Sequence, residues 1–180
     1  MGRPLIMPCD QNPDSPLSGS VDSEHESSQK KLRPNNQYLT FISDNEGDHC
    51  LILCTLPAGA IVPLHSHADR ETSYVVSGKL EALREEVWEK LGPGEMFDVQ
   101  DGTKHAWRNS SPAAASRLCV TTKKMAKFLR EISVPVRDAL PSEEHAQRLR
   151  ELFHAYGYWL GSPEENAAVG LDADWSGLHD

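Results

Sequence analysis

The stretch Gly59-Ala60-Ile61-Val62-Pro63-Leu64-His65-Ser66-His67-Ala68-Asp69-Arg70-Glu71-Thr72-Ser73-Tyr74-Val75-Val76-Ser77-Gly78 decides the fold of this chain. Apolar and β-branched residues flank two histidines, and glycines bound the segment, the pattern of strands between turns. On a strand, side chains two apart point to the same side, about 7 Å from each other. Imidazoles rooted at His65 and His67 can therefore converge on one ion, each nitrogen about 2.0–2.1 Å from it. Glu71 has the same parity, with a turn expected before it. Ser73 and Val75 continue that face, while Thr72, Tyr74 and Val76 point the other way.

Farther along, Gly102-Thr103-Lys104-His105-Ala106-Trp107-Arg108-Asn109 reads as a turn glycine delivering a new strand, with His105, Trp107 and Asn109 on one face. His65, His67, His105 and Glu71 together make a mixed nitrogen and oxygen donor set. It suits Fe(II), Mn(II), Ni(II) or Zn(II), and Ca or Mg poorly. Four protein ligands in an octahedral site leave two positions for water, substrate or dioxygen, the openness of a catalytic rather than a structural site.

The surrounding sequence is a series of short apolar runs between turn signals: Tyr38 to Ile42, Cys50 to Leu56, Thr72 to Val76, Leu80 to Leu83, Val87 to Leu91, Met96 to Val99, His105 to Arg108 and Arg117 to Thr121. Such spacing predicts an all-β sandwich or barrel over 37–122. Residues 123–161 turn helical. Ala126 to Glu131 reads as a short helix. A longer one starts at the cap Ser142 and carries Leu149, Leu152, Phe153 and Tyr156 on one face, packed on the barrel or a partner, or serving as a lid. Gly157 or Gly161 stops it. Residues 1–36 are rich in Pro, Ser, Asp, Asn and Gln and are expected to be a flexible arm; 162–180 are expected to be a loose polar tail.

The chain has 180 residues, 38% hydrophobic and 7% aromatic, and a formal charge of −9. That balance repels phosphate backbones and argues against nucleic acid. Cys50 and Cys54 share a strand face, and with Cys9 and Cys119 read as small hydrophobes rather than a disulfide framework. No run approaches the ~20 apolar residues that cross a bilayer, so a soluble cytoplasmic protein without a membrane partner is expected.

Both histidine segments resemble the two motifs of the cupin family. Gly59, five residues, His65-x-His67, three residues, Glu71, six residues and Gly78 match the first. Gly94, five residues, Gln100-x-Gly102, two residues, His105, three residues and Asn109 match the second, with Gln100 where the family has proline. The resemblance implies a double-stranded β-helix, the RmlC-like jelly-roll barrel, with one divalent metal, iron foremost, on His65, His67, Glu71 and His105. Similarity to quercetin dioxygenase-like small cupins implies an oxidoreductase acting on a small organic molecule, with Glu71 as fourth ligand or general base. A metal-dependent isomerase, lyase or decarboxylase is the alternative, and a non-catalytic binding cupin the third. A homodimer is also implied. Trp107 is expected to stack on substrate or fill the barrel, and Ser73 to bond a ligand or fill space. Asp69 is expected outside the metal shell.

Overall fold

A computed structural model describes residues 30–32, 37–43, 47–135 and 143–171. Alternation of side chains sets its strands. Along His49–Leu56, Cys50, Ile52, Cys54 and Leu56 are buried while their neighbours are more exposed; the period of two puts one row on the core. In chain order the strands are β1 (Lys30–Leu32), β2 (Tyr38–Ser43), β3 (His49–Leu56), β4 (Ile61–Ser66), β5 (Glu71–Ser77) and β6 (Leu80–Arg84). They continue as β7 (Val87–Leu91), β8 (Met96–Val99), β9 (His105–Arg108), β10 (Ala115–Thr122), β11 (Ser133–Pro135) and β12 (Trp159–Leu160).

These strands form two antiparallel sheets, β11-β1-β2-β3-β10-β5-β8 and β12-β4-β9-β6-β7. The core between them includes Leu39, Ile52, Leu56, Leu80, Phe97 and Trp107, all fully buried, each worth roughly 1.5–3 kcal/mol of transfer free energy. Phe97 meets Trp107 edge to face at 5.2 Å between ring centroids. At Gly78 the chain turns from β5 to β6 with φ +76°, and an added Cβ would lie 2.6 Å from the Cβ of Ala115. No side chain fits that crossing. The turn at Gln100 closes without proline, because Thr103 N–H donates to the Gln100 carbonyl at 3.1 Å and Gly102 N–H donates to the His67 carbonyl at 3.0 Å.

Helix α1 (Lys123–Glu131) begins on Thr122, whose hydroxyl accepts from Met125 N–H at 3.1 Å. Helix α2 (Glu143–Tyr156) ends at Gly157, φ +68°; Ser142, its expected cap, lies outside the described residues. Phe128 of α1 gathers Phe153 (4.9 Å), Tyr156 (5.2 Å) and Tyr158 (4.8 Å) around its ring. The apolar stripe of α2 thus packs against α1 and the barrel.

Two expectations need correction. Lys30–Leu32, read as part of a flexible arm, is strand β1 between β2 and β11: backbone pairing with two neighbours needs no apolar side chains. Residues 1–29 and 33–36 of the arm lie outside the described residues. The segment after Gly161, read as a loose tail, carries helix α3 (Pro163–Ala168), started by a capping box of Ser162 and Glu165. Leu171 beyond it is buried with Leu64, Leu83 and Ala106. Few apolar residues suffice there because the contact is made by a strand, a cap and one leucine; 172–180 lie outside the described residues.

Candidate metal centre

Two strands and the loop after one of them bring the three histidines together. His65 on β4 and His105 on β9 are register partners, and His67 follows β4 by one residue. The ring centroids of His65 and His105 are 4.1 Å apart, those of His67 and His105 4.8 Å, and those of His65 and His67 5.6 Å. One donor nitrogen from each falls within 4.8 Å of the others. His67 and His105 are buried and His65 is half-buried.

Each ring is held by its other nitrogen. Nδ1 of His65 lies 2.6 Å from the Pro63 carbonyl, Nδ1 of His67 2.7 Å from the Asp69 carbonyl, and Nδ1 of His105 2.9 Å from the Thr103 carbonyl. A carbonyl only accepts, so each Nδ1 carries the proton and each Nε2 keeps its lone pair. The Nε2 atoms of His67 and His105 are buried with no hydrogen-bond partner among the described residues. Orphaned buried polar atoms are rare and costly; here two belong to one cluster of imidazoles, and a divalent cation satisfies all three lone pairs. The residues fit a metal. Burial pulls the His65 imidazole well below its ordinary value, helped by His105 and His67, and takes His105 down to about 4, where Glu71 opposes the shift and His67 adds to it. These two rings are therefore neutral at pH 7, as metal ligation requires.

Glu71 opens β5 beside them. One carboxylate oxygen, Oε2, lies 3.8 Å from His67 Nε2. The other accepts from Arg117 Nη1 at 2.6 Å and from Ser73 Oγ at 3.2 Å. Arg117 also donates to Ser73 and stacks on Trp107, its Cζ 4.3 Å from the ring centroid. Burial alone would raise the Glu71 carboxyl; the Arg117 guanidinium, with smaller help from the histidines, outweighs it and holds the group below the usual carboxylate range. Burial would correspondingly lower Arg117, and Glu71 reverses that. The four expected ligands thus meet at one place, but the three histidine nitrogens form the cluster and Glu71 is shared with Arg117.

His65 and His67 border a cavity of about 60 Å³. Val62 and Leu39 line its barrel side, while Met125, Phe128, Leu149 and Phe153 from α1 and α2 close it. Trp107 and Ser73 do not line it; they form the layer behind Glu71 and Arg117. Tyr158, which does, donates to Asp69 Oδ2 at 2.5 Å, and Thr122 also donates to Asp69. Asp69 is thus tied to the helical segment, while its carbonyl holds His67.

Sequence reasoning missed Arg117, Gln37, Tyr158 and the thiol pair Cys54 and Cys119 as cavity residues. For Arg117 a signal exists: it sits between Ala115 and Cys119 at inward parity on β10, a charge where the alternation calls for an apolar residue.

Residues 52–121 match the family described as the cupin domain. No curated protein sequence matches the chain. Among solved structures, an RmlC-like cupin from Shewanella frigidimarina shares 18% identity, covers 61% of this chain and 96% of its own, and superposes with a TM-score of 0.51. KdgF from a Halomonas species shares 20% identity over 59% of this chain and 96% of its own, with a TM-score of 0.52. At these identities the likeness is one of fold. It agrees with the two sheets, the two spaced motifs and the imidazole cluster, and residues 52–121 are therefore a cupin domain.

Proposed function

We propose that this chain is a divalent-metal-dependent enzyme acting on a small organic molecule, an oxidoreductase of the dioxygenase type with iron as the foremost metal. The observation that supports it is the convergence of three imidazoles, each fixed through Nδ1, with buried unpartnered Nε2 atoms on His67 and His105, beside a largely apolar cavity. His65, His67 and His105 would hold the ion, and a metal bound there supplies Lewis acidity and, as Fe(II), a route to dioxygen chemistry.

The chain's own residues have distinct parts. Three neutral donors leave the charge of a cation uncompensated, so an anionic oxygen of the substrate is drawn to that end. Glu71, kept ionised by Arg117, is a weak proton acceptor, and its part is to place negative charge beside His67. Val62, Met125, Phe128 and Phe153 exclude water and take the apolar body of the substrate.

One observation favours a redox-neutral isomerase, lyase or decarboxylase instead. Cys54 and Cys119 are free thiols lining the same cavity, exposed to oxidation beside a centre that handles oxygen. The deciding experiment loads the protein with Fe(II), Mn(II), Ni(II) or Zn(II) and screens small hydroxylated and carbonyl compounds aerobically and anaerobically. Substrate-dependent oxygen consumption supports the oxidoreductase; equal turnover without oxygen supports the redox-neutral reading. Protein that takes up none of the four metals overturns both.

A further inference from the structure

We infer that Gln37 recognises the end of the substrate distal to the metal, through a hydrogen bond between its side-chain amide and an uncharged polar group, a hydroxyl above all. This rests on the reading of the cavity as a substrate site.

Gln37 immediately precedes β2, is only 4% exposed and lines the cavity, yet its Oε1 is buried without a hydrogen-bond partner among the described residues. Other polar groups on that wall are accounted for. Glu71 is held by Arg117 and Ser73, Tyr158 by Asp69, and the orphan Nε2 atoms belong to the imidazole cluster. The remaining unpartnered atom of the cavity lining, Arg117 Nε, belongs to the ion pair beside the metal end, and Trp107 and Tyr156, whose Nε1 and Oη also lack partners among the described residues, do not line the cavity. Gln37 stands apart from that end. Leu39, two residues on, pairs with Cys54, and Cys54 pairs with Arg117. β2 therefore lies two strands from β10 and three from β5, about 14 Å across the sheet from the strand of Glu71.

An unpartnered buried amide oxygen costs stability, so its retention at this wall points to a ligand that completes it. The amide carries no charge, and a charged ligand group placed against it would be desolvated without a counter-charge. A hydroxyl both donates and accepts, and so satisfies the amide in either orientation. A cavity of about 60 Å³ has room for roughly four to six water-sized groups. The ligand class is a short-chain molecule with an oxygen donor at one end, an apolar middle and a hydroxyl at the other.

The test uses Ni(II)-loaded full-length protein and matched probes: ω-hydroxy acids of three to six carbons, each against the alkanoate with methyl in place of hydroxyl. Dissociation constants are read by calorimetry. At one chain length the hydroxy acid binds about tenfold more tightly than its methyl partner, a site built around a hydroxyl penalising its absence. Gln37→Met reduces that preference to about twofold or less without lowering the melting temperature of the ligand-free protein, since its Oε1 gives up no partner among the described residues. Binding of both series with no hydroxyl preference at any length overturns the role of Gln37 alone. So does a preference that survives in Gln37→Met, or a Gln37→Met protein that melts several degrees lower, which marks a structural bond. Failure of every probe to bind overturns the substrate-cavity reading and this inference with it.

Discussion

The side-chain carbonyl of Asn166 accepts a hydrogen bond from the backbone N–H of Leu64 at 2.8 Å, one residue before His65. The bond exists because β4 is bulged. Val62 pairs with Trp107 and His65 with His105, so Pro63 and Leu64 together face Ala106. A proline has no N–H to give and is tolerated at such a bulge. The freed Leu64 backbone is taken up by the C-terminal segment, with Gly161 N–H donating to the Leu64 carbonyl at 2.8 Å and Leu160 pairing with His65. Asn166→Ala leaves a buried N–H unsatisfied and removes the amide's own bonds to Gly161 and Ser162. The expected loss is about 3 kcal/mol in urea denaturation. Metal affinity should fall about tenfold, the scale on which groups supporting a ligand act. Unchanged affinity in a destabilised Asn166→Ala protein would separate the bulge from the metal.

Arg117 and Glu71 form a buried pair, each less than 10% exposed. Removing one partner strands the other's charge, so Arg117→Met should cost about 3–5 kcal/mol. Arg117→Met combined with Glu71→Gln should recover at least about 2 kcal/mol of that, because no charge then remains buried. Denaturation of the two single variants and the double variant gives the coupling directly. Additive losses would mean that the pair does not act as a unit.

The barrel and the meeting of the three histidines were legible in sequence for physical reasons. A period of two marks a half-buried strand, and His65, His67, Glu71, Gly78, His105 and Asn109 fall at fixed offsets because a ligand cluster and a tight crossing each tolerate little variation. Asn109 illustrates the second cause: buried, its Nδ2 donates to the carbonyls of Leu56, Pro57 and Ala113 and so ties the turn after β3 to its own loop after β9. The C-terminal wrap was not legible. Trp159 and Leu160 are too few to show a strand period, and Asn166 is buried only because a bulge far away in sequence needs an acceptor. Gln37 was hidden for a similar reason: a polar residue before a strand reads as a turn until the cavity beyond it is seen.

Glu81 gives a pH-dependent prediction. Burial would raise its carboxyl, but hydrogen bonds from Arg108 (2.5 Å) and Ser110 (2.8 Å), with the Arg108 charge, bring it below the ordinary 4.5. A carboxyl depressed in the folded state binds fewer protons folded than unfolded. Its contribution is complete above the ordinary value and is lost as pH falls below 4.5 toward and through the folded value. Arg108 also donates to the Gly170 carbonyl at 3.2 Å and stacks on Trp88 at 4.0 Å, so the pair helps to hold the C-terminal segment. Glu81→Gln should be less stable than the wild type by about 1 kcal/mol at pH 7, and the gap should narrow as pH falls below 4.5. A gap that stays constant with pH would assign the loss to packing.

Metal removal and ligand removal should act in opposite directions on stability. A metal that binds only the folded chain stabilises it by RT ln(1 + [L]/Kd), about 4 kcal/mol at a thousandfold excess over Kd. Chelation should therefore lower the melting temperature of the wild-type protein, and Fe(II), Ni(II) or Zn(II) should restore it. Without an ion, however, the buried Nε2 atoms of His67 and His105 have no partner among the described residues. His105→Leu relieves one of them and fills the space with apolar atoms, at the cost of the bond from Nδ1 to the Thr103 carbonyl. In chelator, His105→Leu should melt at or above the wild type; in metal, well below it and unmoved by the ion. A wild-type protein whose melting ignores both chelator and added metal would leave the unpartnered imidazoles without the cation that explains them.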